Sequence, residues 1–272
     1  MVVQVLPRPP RSRIALLPAR VRAVRRPRWW QELAFVAICY WLYSLVRNAV
    51  PDHETAAGHR AADILAAERT LHVGVEQSVN AVVAHTSWLA YACNYYYATL
   101  HFVVTIGVLV WLYLRHPLRY RSIRSVLFAT NLIALLGFWF YALAPPRLMS
   151  GHRFVDTIVV FHTWGSWGSA DVAKVSNQFA AMPSLHVGWS LWCAVAIVSL
   201  ARRRWVRVLG ALYPVATLFV IIGTGNHFLL DAVGGVVALG LGFAAQRVLS
   251  GRSAFATPAA AHLHPSEVPV AA

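Results

Sequence analysis

Acidic side chains are scarce in this chain. Its 272 residues hold ten Asp and Glu against 24 Lys and Arg, and only one of the basic residues is a lysine, Lys174. Charged residues of both signs make up 12%, where a soluble domain carries about 25%. With 58% apolar residues and a mean hydropathy of +0.54, so little charge excludes an ordinary water-soluble domain and points to a membrane protein. The formal charge of +14 does not argue for nucleic acid. The arginines fall in short clusters between apolar runs, the pattern that sets membrane topology. Cysteine is scarce too. Cys39, Cys93 and Cys193 all lie in apolar runs, and none forms a Cys-x-x-Cys pair. That excludes a disulfide framework or a thiolate zinc site and leaves packing residues. There is no internal repeat.

What is present is a series of long apolar runs. About 20 such residues span a bilayer. Six segments qualify: Gln31 to Val50, Ala98 to Leu114, Ser122 to Ala144, Ser184 to Ala201, Val206 to Ile222, and Phe228 to Leu249. The second is short and could begin near Trp88. The first follows Trp29-Trp30, an interface pair, and is longer than a signal-peptide core of about 7–15 residues. It reads as a retained helix. The expected fold is therefore all-α: a polytopic membrane protein with six transmembrane helices. Residues 1–30 form a basic disordered cytoplasmic tail, 31–249 the membrane domain, and 250–272 a disordered C-terminal tail.

Arginine placement orients the six spans. The N-terminal tail, the loops after spans two and four, and the C-terminal side hold 18 of the 24 basic residues. Those ends are expected to be cytoplasmic, in a multi-pass protein of the cell membrane. Two longer segments face the other way. In Asp52 to Ser87, Ile64, Leu65, Leu71, Val75, Val79 and Val82 recur at helical spacing, which predicts an amphipathic helix on the outer surface. Pro145 to Met182 carries Arg147, Arg153, Asp156, Lys174, Trp164 and Trp167 with little periodicity. A loop of that length is usually functional.

Two histidines stand where polar loops become apolar runs: His186, in Met182-Pro183-Ser184-Leu185-His186, and His227, in Gly225-Asn226-His227-Phe228. The expected topology puts both at the outer face. His227 and Asp231 are four apart and would share a helix face. Ionisable groups inside spans are costly and usually functional. Asp231 can fix the tautomer of His227 and leave its other nitrogen free to attack phosphorus. His186, when protonated, can donate to the leaving oxygen. The start of span four, beside Ser184, offers backbone N–H groups to an anion. Arg147, after Pro145-Pro146, can place a guanidinium on a phosphate. His101, Lys174 and Asn226 are candidate lining residues. His186, His227 and Asp231 are also residue types that bind zinc, but no metal or other cofactor is assigned. Tyr95 to Tyr97 read as an interfacial aromatic belt.

Pro183-Ser184-Leu185-His186 with His227-x-x-x-Asp231, on a six-span frame, resembles the type 2 phosphatidic acid phosphatase superfamily. Its signatures are K-x6-R-P, P-S-G-H and S-R-x5-H-x3-D. The resemblance implies metal-independent chemistry through a phosphohistidine, with His227 the nucleophile, Asp231 its orienting partner, His186 the acid/base and Ser184 a phosphate-binding position. This chain departs from the pattern. It has no K-x6-R-P run, Leu185 replaces a glycine, and Ile221 stands where the third signature has arginine. The Pro-Ser-Leu-His variant is similar to the branch that holds inositol phosphorylceramide synthase, an inositolphosphotransferase.

With two expected cations missing, phosphodiester chemistry is favoured over hydrolysis of a monoester dianion. The expected activity is a lipid phosphotransferase that passes a phosphate-containing headgroup to a polyol or lipid alcohol. A lipid phosphate phosphatase using water, and a non-enzymatic transporter or lipid-binding scaffold, are the alternatives. The implied partners are a phospholipid or lipid phosphate and the membrane, with no nucleic acid. The sequence does not fix the oligomeric state.

Overall fold

Each apolar run becomes a helix, and each is bounded by a proline, a charge cluster or a polar turn. The computed structural model describes residues 27–49, 54–149, 151–163 and 178–256. Helix α1 covers Trp29–Ala49, α2 Glu54–Thr70 and α3 Glu76–Ala84. Helix α4, Ser87–Tyr95, passes through one π-helical turn, Tyr96–Leu100, into α5, His101–Arg115. Helix α6, Pro117–Phe140, opens on a proline, whose missing N–H has no acceptor in a first turn anyway. Helix α7, Thr157–Val160, is a single turn started by Asp156, which accepts from the Ile158 and Val159 N–H groups. Helices α8, Leu185–Leu200, α9, Arg204–Gly223, and α10, Leu229–Ser250, complete the chain. Among the described residues there is no β-strand, only an isolated bridge between Leu143 and Ala180.

Four helical stretches are long and apolar enough to cross a membrane: Ser87–Arg115, Pro117–Phe140, Arg204–Gly223 and Leu229–Ser250. Helix α8 is apolar but has only 16 residues. Helix α1 occupies the first apolar run and is not among the four.

Helices α6, α8, α9 and α10 pack side by side, with α5 against α6 and α8. Their core is built from Leu112, Ile123, Val126, Trp192, Cys193 and Leu239. Trp192 donates its indole N–H to the Ile123 carbonyl at 2.9 Å, which satisfies its one polar atom. The outward faces, including Val103, Ile106, Leu132, Leu212 and Val236, are apolar and exposed, as a surface meant for lipid requires. Helices α8 and α10 touch through Gly235. A Cβ there would overlap the Ser184 carbonyl oxygen, so the two helix starts approach closely only because the residue is glycine.

The segment before α4 differs from the expected single amphipathic helix. It is two helices, α2 and α3, broken at Leu71–Val75, where His72 takes φ 58°. Leu71, Val75 and Val82 of the expected stripe are exposed, whereas Glu68, Glu76 and Asn80 are buried. The polar residues face inward because they have backbone partners there. Asn80 donates to the Val155 and Gly223 carbonyls at 3.0 and 2.9 Å and accepts from the Val155 N–H at 2.8 Å. This clip fastens the long segment after α6 over the end of α9. A second clip joins Asn94 to the Thr157 hydroxyl and carbonyl at 2.7 and 3.0 Å.

Candidate active site

Helix α9 ends at Gly223, and the chain turns through Gly225 at φ 70°, a left-handed conformation that suits glycine. The turn is closed by Asn226 and His227 N–H bonds to the Ile221 carbonyl at 3.0 and 3.2 Å. His227 therefore precedes α10 rather than lying on it, and Phe228 is the helix N-cap. The expected pairing with Asp231 is present, but its origin is different. Asp231 sits in the first turn and reaches back. One of its oxygens, Oδ2, accepts from the Phe228 N–H at 2.9 Å and lies 3.3 Å from Nδ1 of His227. Asp231 is fully buried and His227 nearly so. A carboxylate at a helix N-terminus is favoured by the exposed N–H groups there. It can in turn hold a neighbouring imidazole with Nδ1 protonated and Nε2 free.

His186 is the second residue of α8, and its ring centroid lies 5.4 Å from that of His227. The two helix starts are tied directly, since the Ser184 N–H donates to the Asp231 carbonyl at 3.0 Å. His186 lies against other rings: Tyr97 stacks on it at 4.4 Å and His101 lies at 4.6 Å. His101 is itself stacked on Trp189 at 4.8 Å. The π-turn between α4 and α5 matters here. Tyr97 lies within it and His101 directly follows it, and both, four apart, meet His186. Of the three tyrosines expected in an aromatic belt, Tyr95 is exposed, Tyr96 bonds Thr217 at 2.7 Å, and Tyr97 lines the site.

Arg147 is bound to the turn that precedes His227. Its Nε donates to Asn226 Oδ1 at 2.9 Å and its Nη1 to Asp156 Oδ2 at 2.8 Å, with Gln178 Oε1 at 3.4 Å from Nη2. Its backbone N–H donates to the Gly225 carbonyl at 2.9 Å. Asn226 is fixed in turn by donating to the Thr224 hydroxyl at 2.8 Å. The guanidinium is thus held in one orientation against Asn226, the residue before the histidine. Ser184 is the N-cap of α8, and its buried hydroxyl makes no cap bond and has no partner among the described residues. The first-turn N–H groups of α8 lack helical acceptors by construction. Orphan donors of this kind suit an anion.

His186, His227, Asp231, Ser184, Arg147, Asn226 and His101 therefore gather at one end of the bundle. Lys174, Trp164 and Trp167 lie outside the described residues. Among the described residues, no group of three or more His, Cys, Asp or Glu has metal-holding geometry.

Two residues near the nucleophile candidate escape a reading by motif. Glu76 Oε1 accepts from the Leu229 N–H at 3.1 Å, and Glu68 Oε1 from the Leu230 N–H at 2.7 Å. With Asp231, three buried carboxyls converge on the start of α10. Burial, together with the neighbouring Glu76 and Asp231, pushes the Glu68 carboxyl up to about 8. A signal was available: Glu68 lies four after Ile64 and three after Leu65, so a rare acid shares the buried stripe. Asp156, Gln178 and Trp189 were not legible, because only the fold brings them to Arg147 and His101.

The family described as the PAP2 superfamily matches this chain over residues 62–245. No curated protein and no solved structure matches it.

Proposed function

The chain belongs to the PAP2 superfamily, and from that premise we propose that it is a membrane phosphotransferase, moving a phosphate-bearing headgroup from a lipid to an alcohol. The observation that carries this reading is the His227–Asp231 pair with His186 facing it, 5.4 Å away ring to ring.

In the first step Nε2 of His227 attacks phosphorus. The P–N bond forms, the P–O bond to the lipid alcohol breaks, and protonated His186 gives its proton to the departing oxygen. Asp231 stabilises the positive charge that develops on the His227 ring. In the second step an acceptor hydroxyl attacks phosphorus, neutral His186 takes its proton, and the P–N bond breaks. Arg147 and the first turn of α8, with Ser184, hold the phosphate oxygens through both steps.

The charge inventory favours a phosphodiester donor. Arg147 already gives N–H bonds to Asp156 and Asn226. A monoester dianion would call for more positive charge than this arrangement offers, whereas a diester monoanion requires less. The proposed topology has six spans, α1, α4–α5, α6, α8, α9 and α10, with both termini cytoplasmic and the site toward the outer face. It is supported by the arginine clusters at 115–124, 202–207 and 247–252, at the end of the bundle away from His227. In that frame α2 and α3 cap the outer end.

The test is to incubate purified protein with a defined phospholipid mixture, with and without inositol, glycerol or sugar alcohols, and to identify products by mass. Headgroup exchange that depends on the acceptor, and acid-labile phosphate on His227, are the expected results. Efficient hydrolysis of phosphatidic acid without any exchange would replace the transferase reading with a phosphatase.

A further inference from the structure

The buried carboxyls of Glu68 and Glu76 have no role in the transfer steps, yet they are the closest acids to the start of α10 apart from Asp231. Each uses Oε1 on a backbone N–H of that helix. The second oxygen of each, Oε2, is buried with no donor among the described residues. Both residues are essentially inaccessible to solvent. The two carboxyls are neighbours, because the N–H groups they accept from belong to consecutive residues, Leu229 and Leu230. Two neighbouring buried carboxylates cannot both ionise without a large repulsive cost. A proton between them satisfies both orphan oxygens at once.

We propose that Glu68 and Glu76 share a single proton and act as a positioning pair, holding the start of α10, and with it His227, in the geometry that phosphoryl transfer needs. The pair spans three elements. Glu68 comes from α2, Glu76 from α3, and the two N–H groups they hold are the second and third residues after His227. The charged and titratable groups around them are Asp231 and His227 at the start of α10 and, beyond Gly225, Arg147, which is bound to Asp156. The elevated proton affinity of Glu68 agrees with the sharing. Loss of the proton at alkaline pH sets two like charges against each other beside Asp231. The carboxyls then separate, and the N–H groups of Leu229 and Leu230 lose their acceptors.

The kinetic half of the inference rests on the proposed nucleophilic role of His227. The shared proton does not. The test therefore has two readouts on full-length protein. The first is the infrared stretching band of a protonated carboxyl. It should be present at neutral pH, titrate away on the alkaline side, and be missing in Glu68→Gln, whose amide replaces the proton with a permanent N–H donor. The second is the pH profile of transfer. Glu68→Ala should lose about tenfold or more in kcat, because a buried N–H is left without an acceptor. Glu68→Gln should recover most of that loss and extend activity to higher pH. A missing carboxyl band in the wild type would overturn the shared proton. A normal band with identical alkaline limbs in wild type and Glu68→Gln would overturn its coupling to His227. If Glu68→Ala fails to fold, Glu76→Gln makes the same substitution from the other side of the pair. If no transfer or hydrolysis is found in the wild type while the band behaves as described, the proposed function fails and the pair stands.

Discussion

The two ends of the helix bundle both bury ionisable side chains, and they do so in opposite ways. At the end where α1 and α6 begin, charges are matched. Arg124 pairs with Glu32, Tyr120 donates to the same carboxylate at 2.8 Å, and the guanidinium lies over the rings of Phe35, Phe128 and Tyr120 at 4.5, 5.6 and 5.7 Å. At the end where α8 and α10 begin, like charges accumulate. Glu68, Glu76 and Asp231 crowd one helix N-terminus beside two imidazoles. A matched cluster is a fastener. A mismatched one is held in place by backbone N–H groups and stays chemically responsive, which is why perturbed groups gather where chemistry happens.

The contrast breaks first at His227. If the mismatched end carries the chemistry, His227→Ala should cut turnover by on the order of 10³-fold or more, with the protein still inserted and folded. Steady-state rates and membrane fractionation on the same preparation read this directly. Survival of the wild-type rate would reduce the end of α8 and α10 to a structural cluster like its counterpart.

The matched end should respond in stability instead. Arg124→Met leaves Glu32 buried without its cation and should cost about 3–5 kcal/mol. Adding Glu32→Gln should return most of that loss, because no lone charge then remains. Thermal unfolding in detergent measures both. Whatever fraction stays folded should turn over at the wild-type rate.

Arg147 lies between these cases, being both fastened and facing the site. Arg147→Lys keeps the charge but cannot hold Asn226 and Asp156 with a planar fork. The expected loss is about 10–100-fold in kcat/KM, the worth of a charge-assisted hydrogen bond. A loss confined to KM would mean that Arg147 only binds the phosphate. A loss in kcat as well would mean that it also supports the transition state.

How much of this was legible in the sequence follows from what each residue depends on. Asp231 and His227 are four apart in the chain, so their pairing is local and the spacing announces it. His186 needs only the topology, because α8 and α10 start at the same end. The close approach that makes the meeting possible depends on Gly235, which carries no chemical signal of its own. Arg147 was legible from its prolines, but its partners Asp156 and Gln178 were not, because no period connects them. In Asp52 to Ser87 the hydrophobic stripe predicted one amphipathic helix lying on the outer membrane surface. The fold breaks the helix near His72 and buries Glu68, Glu76 and Asn80 along with Ile64 and Leu65 of the stripe, while Leu71, Val75 and Val82 stay exposed. There a tertiary demand for hydrogen-bond acceptors outweighs the apolar pattern.

The smallest expected effect separates the ends by pH. Glu68 binds its proton more tightly in the folded protein, up to about 8, than in an unfolded chain, where a glutamate titrates near its ordinary value of 4.5. Between those values the folded state holds more protons than the unfolded one. Stability must therefore be greatest below the lower value, decline as pH rises, and reach its floor above the upper one. The sign is the reverse of that for a salt-bridged carboxylate, whose depressed value makes stability rise with pH, and in a window below the ordinary value rather than above it. Glu68→Gln has no proton to lose, so its stability should be flatter from pH 5 to 9, the window that brackets the cited shift. Unfolding midpoints of the two proteins across that range give the comparison. Parallel curves would mean that Glu68 is already ionised in the folded state, and the mismatched end would then hold its charges apart rather than share a proton between them.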